Sequence, residues 1–202
     1  MLAAFVLLIS VVSISYLKLK KLNLALIEAN TRLEQLSQHD PLTGLYNRQY
    51  FEPRVQQALA LCQRQQLPLT LAMMDLDHFK AINDNYGHTT GDAALKQVAQ
   101  ILTQELRKTD FIGRLGGEEF AIVLPDTTET EARNISQRLR QQVEQQARLV
   151  EGKVLGLTIS IGAVYSNRFS AGQFERLLKQ ADDALYDAKR SGRNTVTFYF
   201  LG

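Results

Sequence analysis

The chain has 202 residues, 45% of them apolar and 22% charged, which excludes a disordered or collagen-like chain and leaves one compact domain with a short extension as the expectation. Lys and Arg number 23 against 21 Asp and Glu, so the net charge of +2 lacks the strong basic bias of a duplex-DNA binder, and no nucleic-acid partner is expected. A single cysteine, Cys62, excludes an intrachain disulfide and cysteine-based zinc sites and fits a reducing compartment.

Met1 to Leu17 carries no charge, and Lys18, Lys20 and Lys21 follow at once. As a helix this run rises about 25 Å, near the lower limit for a bilayer core of about 30 Å. Three readings compete: a membrane anchor, a cleaved signal peptide, and the last helix of a larger membrane region. The anchor over 1–17 is favoured, because the lysines lie on the wrong side for a signal peptide. They also predict that their flank is cytoplasmic.

Leu19, Leu22, Leu26, Ala29, Leu33 and Leu36 follow at spacings of 3, 4, 3, 4 and 3, a heptad seam of about two and a half heptads. Either this helix packs on its own domain or it forms a short parallel coiled coil between two copies. The second reading is favoured for residues 18–38, since an anchor would hold both chains parallel. Residues 39–47, HDPLTGLYN, break the helix with Pro41 and Gly44 and open a globular domain over 39–202.

Within that domain the spacing predicts a helix over 47–64, with Phe51, Val55, Leu59 and Cys62 inward, then a buried strand over 69–75. A helix is expected over 91–107. Apolar runs at 110–115 and 119–124, separated by Gly116-Gly117-Glu118, read as a hairpin. A polar helix over 128–148, a strand over 156–163, a helix over 173–190 and a strand over 195–200 complete the chain. The pattern is a mixed sheet with helices on its faces.

Three groups of residues could carry chemistry. The strand at 69–75 stops in Asp75-Leu76-Asp77. Asp77 is read most simply as a helix N-cap. Asp75 continues a buried strand and needs a cation or several donors. The hairpin tip Gly116-Gly117-Glu118-Glu119 places two acids at a tight turn, where they repel unless something positive lies near. Asp75 and Glu118 on neighbouring strands could share one Mg²⁺, which usually takes one or two carboxylates plus phosphate oxygens. Lys80, Asn83 and Asp92 surround a polar loop, and a carboxylate with an amide can read guanine. Lys189 and Arg193 form a cationic helix end suited to phosphates.

The segments DPLTGLYNR, DLDHFKAINDNYGHTTGD, RLGGEEF and ADDALYDAKRSGRN resemble, in order and spacing, the GGDEF-domain diguanylate cyclases. The likeness runs from Asp40 to Thr195 and includes GGEEF, an accepted variant of the name motif. It implies an α+β fold like the nucleotidyl cyclase and polymerase palm, a central mixed sheet flanked by helices, here preceded by the hydrophobic helix and coiled coil. It implies that Asp75, Glu118 and the Leu76 carbonyl hold Mg²⁺, two ions per active site, with Mn²⁺ as a substitute. Glu119 would assist the second ion or activate the attacking 3′-hydroxyl. The amides of His78 and Phe79, with Lys80, Lys189 and Arg193, would hold phosphates. Asn83 and Asp92 would read guanine between the apolar walls Leu42 and Leu95.

The implied reaction joins two GTP into cyclic di-GMP and two pyrophosphates across a homodimer. Arg107 and Asp110 match the family's RxxD product-binding pattern, whose bland alternative is an i, i+3 salt bridge. Arg138 is expected to join them from a second subunit, giving feedback inhibition by cyclic di-GMP. The implied location is the bacterial inner membrane, held through residues 1–17, with the catalytic domain in the cytoplasm. Two other readings stay open: a non-catalytic cyclic di-GMP receptor using Arg107 and Asp110, and a module signalling through helix dimerisation.

Overall fold

The computed structural model describes residues 12–24, 26–27, 38–168 and 173–201. The chain divides into two compact units, Met1–Gln38 and His39–Gly202.

In the first unit residues 12–24 and 26–27 are helical. Residues 1–11 of the expected anchor, and Ala29, Leu33 and Leu36 of the heptad seam, lie outside the described residues. The expected inner-membrane location is corrected: among the described residues no helix is long and apolar enough to cross a membrane. In the described helix the uncharged residues 12–17 run directly into Lys18, Lys20 and Lys21.

In the second unit the order is β1 (Tyr46–Asn47), α1 (Arg48–Gln65), β2 (Leu69–Leu76), α2 (Phe79–Tyr86), α3 (His88–Gln104), β3 (Phe111–Gly116), β4 (Glu119–Pro125), α4 (Glu129–Gln146), β5 (Leu149–Val150), β6 (Lys153–Val154), β7 (Ile159–Ser166), α5 (Gln173–Arg190) and β8 (Val196–Leu201). Six strands form one sheet in the order β1-β3-β4-β2-β7-β8. The outer pairs β1·β3 and β7·β8 are parallel and the inner pairs are antiparallel. This is the expected α+β architecture.

β2 lies near the middle of the sheet and is buried along its whole length, and apart from Thr70 its residues are apolar on both faces until Asp75. Ala72, Met74 and Leu76 pack with Phe79 and Ile82 of α2, Leu95, Val98 and Leu102 of α3, and Ile135 and Leu139 of α4. Leu69, Leu71 and Met73 pack with Phe51, Val55 and Leu59 of α1 and Leu177, Ala181 and Leu185 of α5. The period-2 alternation of the strand therefore decides which helices each residue meets, and it puts Asp75 on the α1 and α5 side.

Several expected boundaries shift. The helix expected at 91–107 is His88–Gln104, because Gly87 at φ 82 separates it from α2, which is a helix of its own. The strand expected at 156–163 is Ile159–Ser166, since Gly156 at φ 61 still belongs to the irregular stretch that leads into it. The helix expected to reach 148 ends at Gln146, and the short β5–β6 hairpin follows. Its turn residues Glu151 and Gly152 both have positive φ, the geometry of a tight two-residue hairpin loop. At its start α4 is fixed by a capping box between Thr128 and Glu131.

Candidate active site

The acidic centre is built by strand register. Glu119, the first residue of β4, stands directly opposite Asp75 of β2. The Leu76 N–H donates to the Glu118 carbonyl at 3.4 Å, so Glu118 brackets the end of the same strand. Asp75 is only 8% exposed, and its carboxylate meets Lys189 Nζ at 2.8 Å. Burial pushes the Asp75 carboxyl above its ordinary range; Lys189 draws it down, and the charges of Glu118 and Glu119 push it up. Three acids thus converge on one strand end with one lysine as counter-charge.

The hairpin tip that carries Glu118 needs its glycines. Gly116 and Gly117 have φ values of 150 and 51, and a bulge between Arg114 and Gly116 turns the strand there. Arg114 then holds the tip: its Nε and Nη2 donate to the Gly117 carbonyl at 3.0 and 2.7 Å. The Nη1 of Arg114 meets Asp40 at 3.1 Å, and Asp40 accepts from the Thr43 N–H and hydroxyl. Neither Arg114 nor Asp40 is among the residues the sequence marks as site residues. The signals were an arginine inside the apolar run FIGRL and the Asp-x-x-Thr turn.

α2 begins beside this centre. Ile82 N–H is the first to bond back into the helix, to His78 O, so the N–H groups of Phe79, Lys80 and Ala81 precede the ladder. Such a helix start favours anions. The Phe79 side chain is buried in the core, and Lys80 is exposed. Asn83 and Asp92 come from the paired helices α2 and α3. Asn83 Oδ1 is buried without a hydrogen-bond partner. It occupies the space above Gly91, where a Cβ would lie 2.0 Å from it. The two expected apolar walls differ: Leu42 is half-buried, while Leu95 is 2% exposed and belongs to the core.

Arg107, Asp110 and Arg138 meet at another corner. The Arg107 N–H, not its guanidinium, donates to Asp110 Oδ2 at 2.9 Å, and the guanidinium approaches Glu131 at 3.5 Å. An i, i+3 side-chain ion pair is therefore not what this motif forms. Burial raises the Asp110 carboxyl, with the Arg107 N–H and charge and the Arg138 charge opposing. The chain's own Arg138 lies at this corner, with Nε 2.7 Å from Glu105 Oε2.

Asp77 departs from the cap role expected of it. It does not cap α2: His78 holds the N-cap position at φ 59, with no side-chain cap. Asp77 is 4% exposed and accepts from Thr158 Oγ1 at 2.7 Å, Ser160 Oγ at 2.6 Å and the Asn194 N–H at 3.0 Å.

A family model described as diguanylate cyclase, GGDEF domain, matches residues 37–195. The chain belongs to this family. GGDEF-domain relatives are similar along most of its length. It is 39% identical over 171 residues to the diguanylate cyclase DosC of Escherichia coli K12, covering 82% of this chain and 37% of DosC. It is 43% identical over 157 residues to the diguanylate cyclase DgcP of Pseudomonas aeruginosa, covering 78% of this chain and 23% of DgcP. The chain thus spans well under half the length of these curated relatives. Among solved structures, the GGDEF domain of DgcB from Caulobacter crescentus, in complex with c-di-GMP, is 32% identical with a TM-score of 0.73, covering 80% of this chain and 95% of that one. Diguanylate cyclase SiaD of Pseudomonas aeruginosa, in complex with its activator SiaC, is 36% identical with a TM-score of 0.75, covering 89% and 68%.

The acidic centre of this GGDEF domain suits a hard divalent cation: carboxylate and carbonyl oxygens crowd a strand end and raise one another's affinity for positive charge. Among the described residues no three His, Cys, Asp or Glu side chains are gathered closely enough to hold an ion alone.

Proposed function

We propose that this chain is a diguanylate cyclase that condenses two GTP into cyclic di-GMP and two pyrophosphates, with each copy of a homodimer holding one GTP. The observation that carries this reading is the convergence of Asp75, Glu118 and Glu119 beside Lys189 in a GGDEF domain. Asp75, Glu118 and the Leu76 carbonyl are the groups to hold Mg²⁺, two ions per site with Mn²⁺ as a substitute. A bound divalent cation supplies neutralisation of the triphosphate and of the charge that develops at the α-phosphate.

The chain's own residues do the rest. Asp92 accepts from guanine N1–H and N2–H, and the Asn83 amide, whose oxygen has no hydrogen-bond partner among the described residues, reads the same base. Leu42 and Leu95 flank it. The backbone N–H groups of His78 and Phe79 and the side chain of Lys80 take phosphate oxygens. Lys189 leaves Asp75 for the phosphates when substrate arrives, and Arg193 joins it. Glu119 accepts the proton of the 3′-hydroxyl on the GTP held by the partner copy. That oxygen attacks the α-phosphorus, and pyrophosphate departs toward the cationic groups. Orientation and fixed charge provide most of the rate.

Arg107, Asp110 and Arg138 bind cyclic di-GMP as an inhibitor, guanidinium groups taking phosphate and guanine and the carboxylate pairing with the guanine edge. Residues 18–38 form a coiled coil that brings two catalytic domains, 39–202, together. Leu19, Leu22 and Leu26, exposed along one helix, support that part.

The test is product formation from GTP and Mg²⁺ at several protein concentrations. Cyclic di-GMP should appear, and activity per mole should rise with concentration. A chain that binds cyclic di-GMP but never makes it is a receptor, and overturns the reading.

A further inference from the structure

We infer that Asp77 is a positioning residue whose buried carboxylate fixes the turn that presents Arg193 to the triphosphate. This deepens the cyclase reading and rests on it for the role of Arg193.

The turn after α5 is strained. Gly192, Arg193 and Asn194 have φ values of 108, 65 and 44, so two successive residues with side chains occupy left-handed backbone. Such conformations persist only where surrounding contacts over-determine them. Those contacts are present. The Arg193 N–H donates to Ala188 O at 3.2 Å. The Asn194 N–H donates to Asp77 Oδ2 at 3.0 Å. The Asn194 side chain accepts from Arg140 and donates to Glu144, both at 2.8 Å. Arg193 itself is exposed.

Arg193 therefore lies between two residues that are each tied to the end of β2. Lys189, one helical turn before it, reaches Asp75. Asn194, just after it, reaches Asp77. The two acids sit two residues apart, Asp75 at the end of β2 and Asp77 in the turn just after it, so both cationic groups are registered against the same acidic edge. Thr158 and Ser160 supply the remaining donors that make a buried carboxylate tolerable at Asp77. The sequence pairs these features as DLD and SGRN, and only the fold shows why the second aspartate is needed.

The experiment compares GTP and guanosine binding by calorimetry, with Michaelis constants where turnover is present. Asp77→Ala should weaken GTP binding by about tenfold or more, with kcat within about threefold and guanosine affinity unchanged, because a hydrogen bond to a charged group is lost from the phosphate arm alone. Asp77→Asn should restore GTP binding. Its amide oxygen can still accept from Asn194 and Thr158, while its NH₂ turns to the Ser160 hydroxyl, which can accept. A merely structural aspartate would lower thermal stability and active fraction without separating GTP from guanosine. GTP binding unchanged in a folded Asp77→Ala chain overturns the inference. If that variant does not fold, Thr158→Val, which removes a side-chain donor that holds the Asp77 carboxylate, must weaken GTP binding selectively, and unchanged binding there overturns it equally. A parent chain that binds GTP and forms no product instead overturns the cyclase reading, and the two failures stay distinct.

Discussion

Lys189 of α5 closes on Asp75 of β2 at 2.8 Å, joining the last helix to the acidic end of a central strand. The pair sets a pH dependence. Asp75 must be ionised to hold a cation, and burial with the neighbouring Glu118 and Glu119 charges lifts its pKa while Lys189 lowers it. Turnover at low GTP, where kcat/KM reports the free enzyme, should therefore fall on the acid side, and Lys189→Met should move that limb to higher pH. An acid limb that stays put in the variant rejects Lys189 as the counter-charge.

The same shift has a stability sign. A carboxyl whose pKa is raised by folding contributes most below its unfolded pKa, and that contribution is lost as pH rises through the folded value. At neutral pH ionised Asp75 thus costs stability. Asp75→Asn should melt at the parent temperature or above it while turnover disappears. A clear fall in Tm at pH 7 would mean that the ion pair with Lys189 outweighs burial.

Gly91 offers a separation of fold from specificity. A Cβ there would meet Asn83 Oδ1 at 2.0 Å, the far end of a side chain that can swing away. Gly91→Ala should keep or raise Tm, since Ala gains about 0.5–1 kcal/mol over Gly inside a helix. GTP affinity should fall about tenfold, the cost of one displaced hydrogen-bonding group at the base. Parent-like affinity would remove Asn83 from guanine reading.

At the other corner, Arg107→Ala should leave initial turnover near the parent's and abolish slowing by added cyclic di-GMP. Progress curves with and without product decide it. Inhibition as strong as the parent's would rule out Arg107 as a product ligand.

The Arg114–Asp40 pair ties the hairpin tip to the loop that opens the domain, and both side chains are largely covered, at 13% and 18% exposure. Asp40→Ala should destabilise the domain by about 1–3 kcal/mol, because the guanidinium loses a charged partner. Urea denaturation measures it. Turnover should fall further than the folded fraction, as the Gly117 carbonyl loses its registered donor.

Much of this was legible in the residues. Phe51, Val55, Leu59 and Cys62 are the buried face of α1, as their spacing requires. The strand ending in Asp75 and the Gly116-Gly117 hairpin pair as antiparallel neighbours, as alternation and turn chemistry require. What local patterns could not reach were contacts between distant segments. Asp77 reads as a helix cap because its partners, Thr158, Ser160 and Asn194, are more than 80 residues away. The β5–β6 hairpin has strands of two residues, too short for any periodicity. The apolar N-terminal run suggests a membrane span by composition, whereas among the described residues no helix is long and apolar enough to cross a membrane.

The most direct measurement is turnover of GTP by Glu118→Gln in saturating Mg²⁺, beside the parent. The side chain keeps its size and loses its charge. Losing one charged ligand at the reacting phosphate should lower kcat by about 100-fold or more with the fold intact. Cyclic di-GMP formed at the parent rate would contradict the account at its centre.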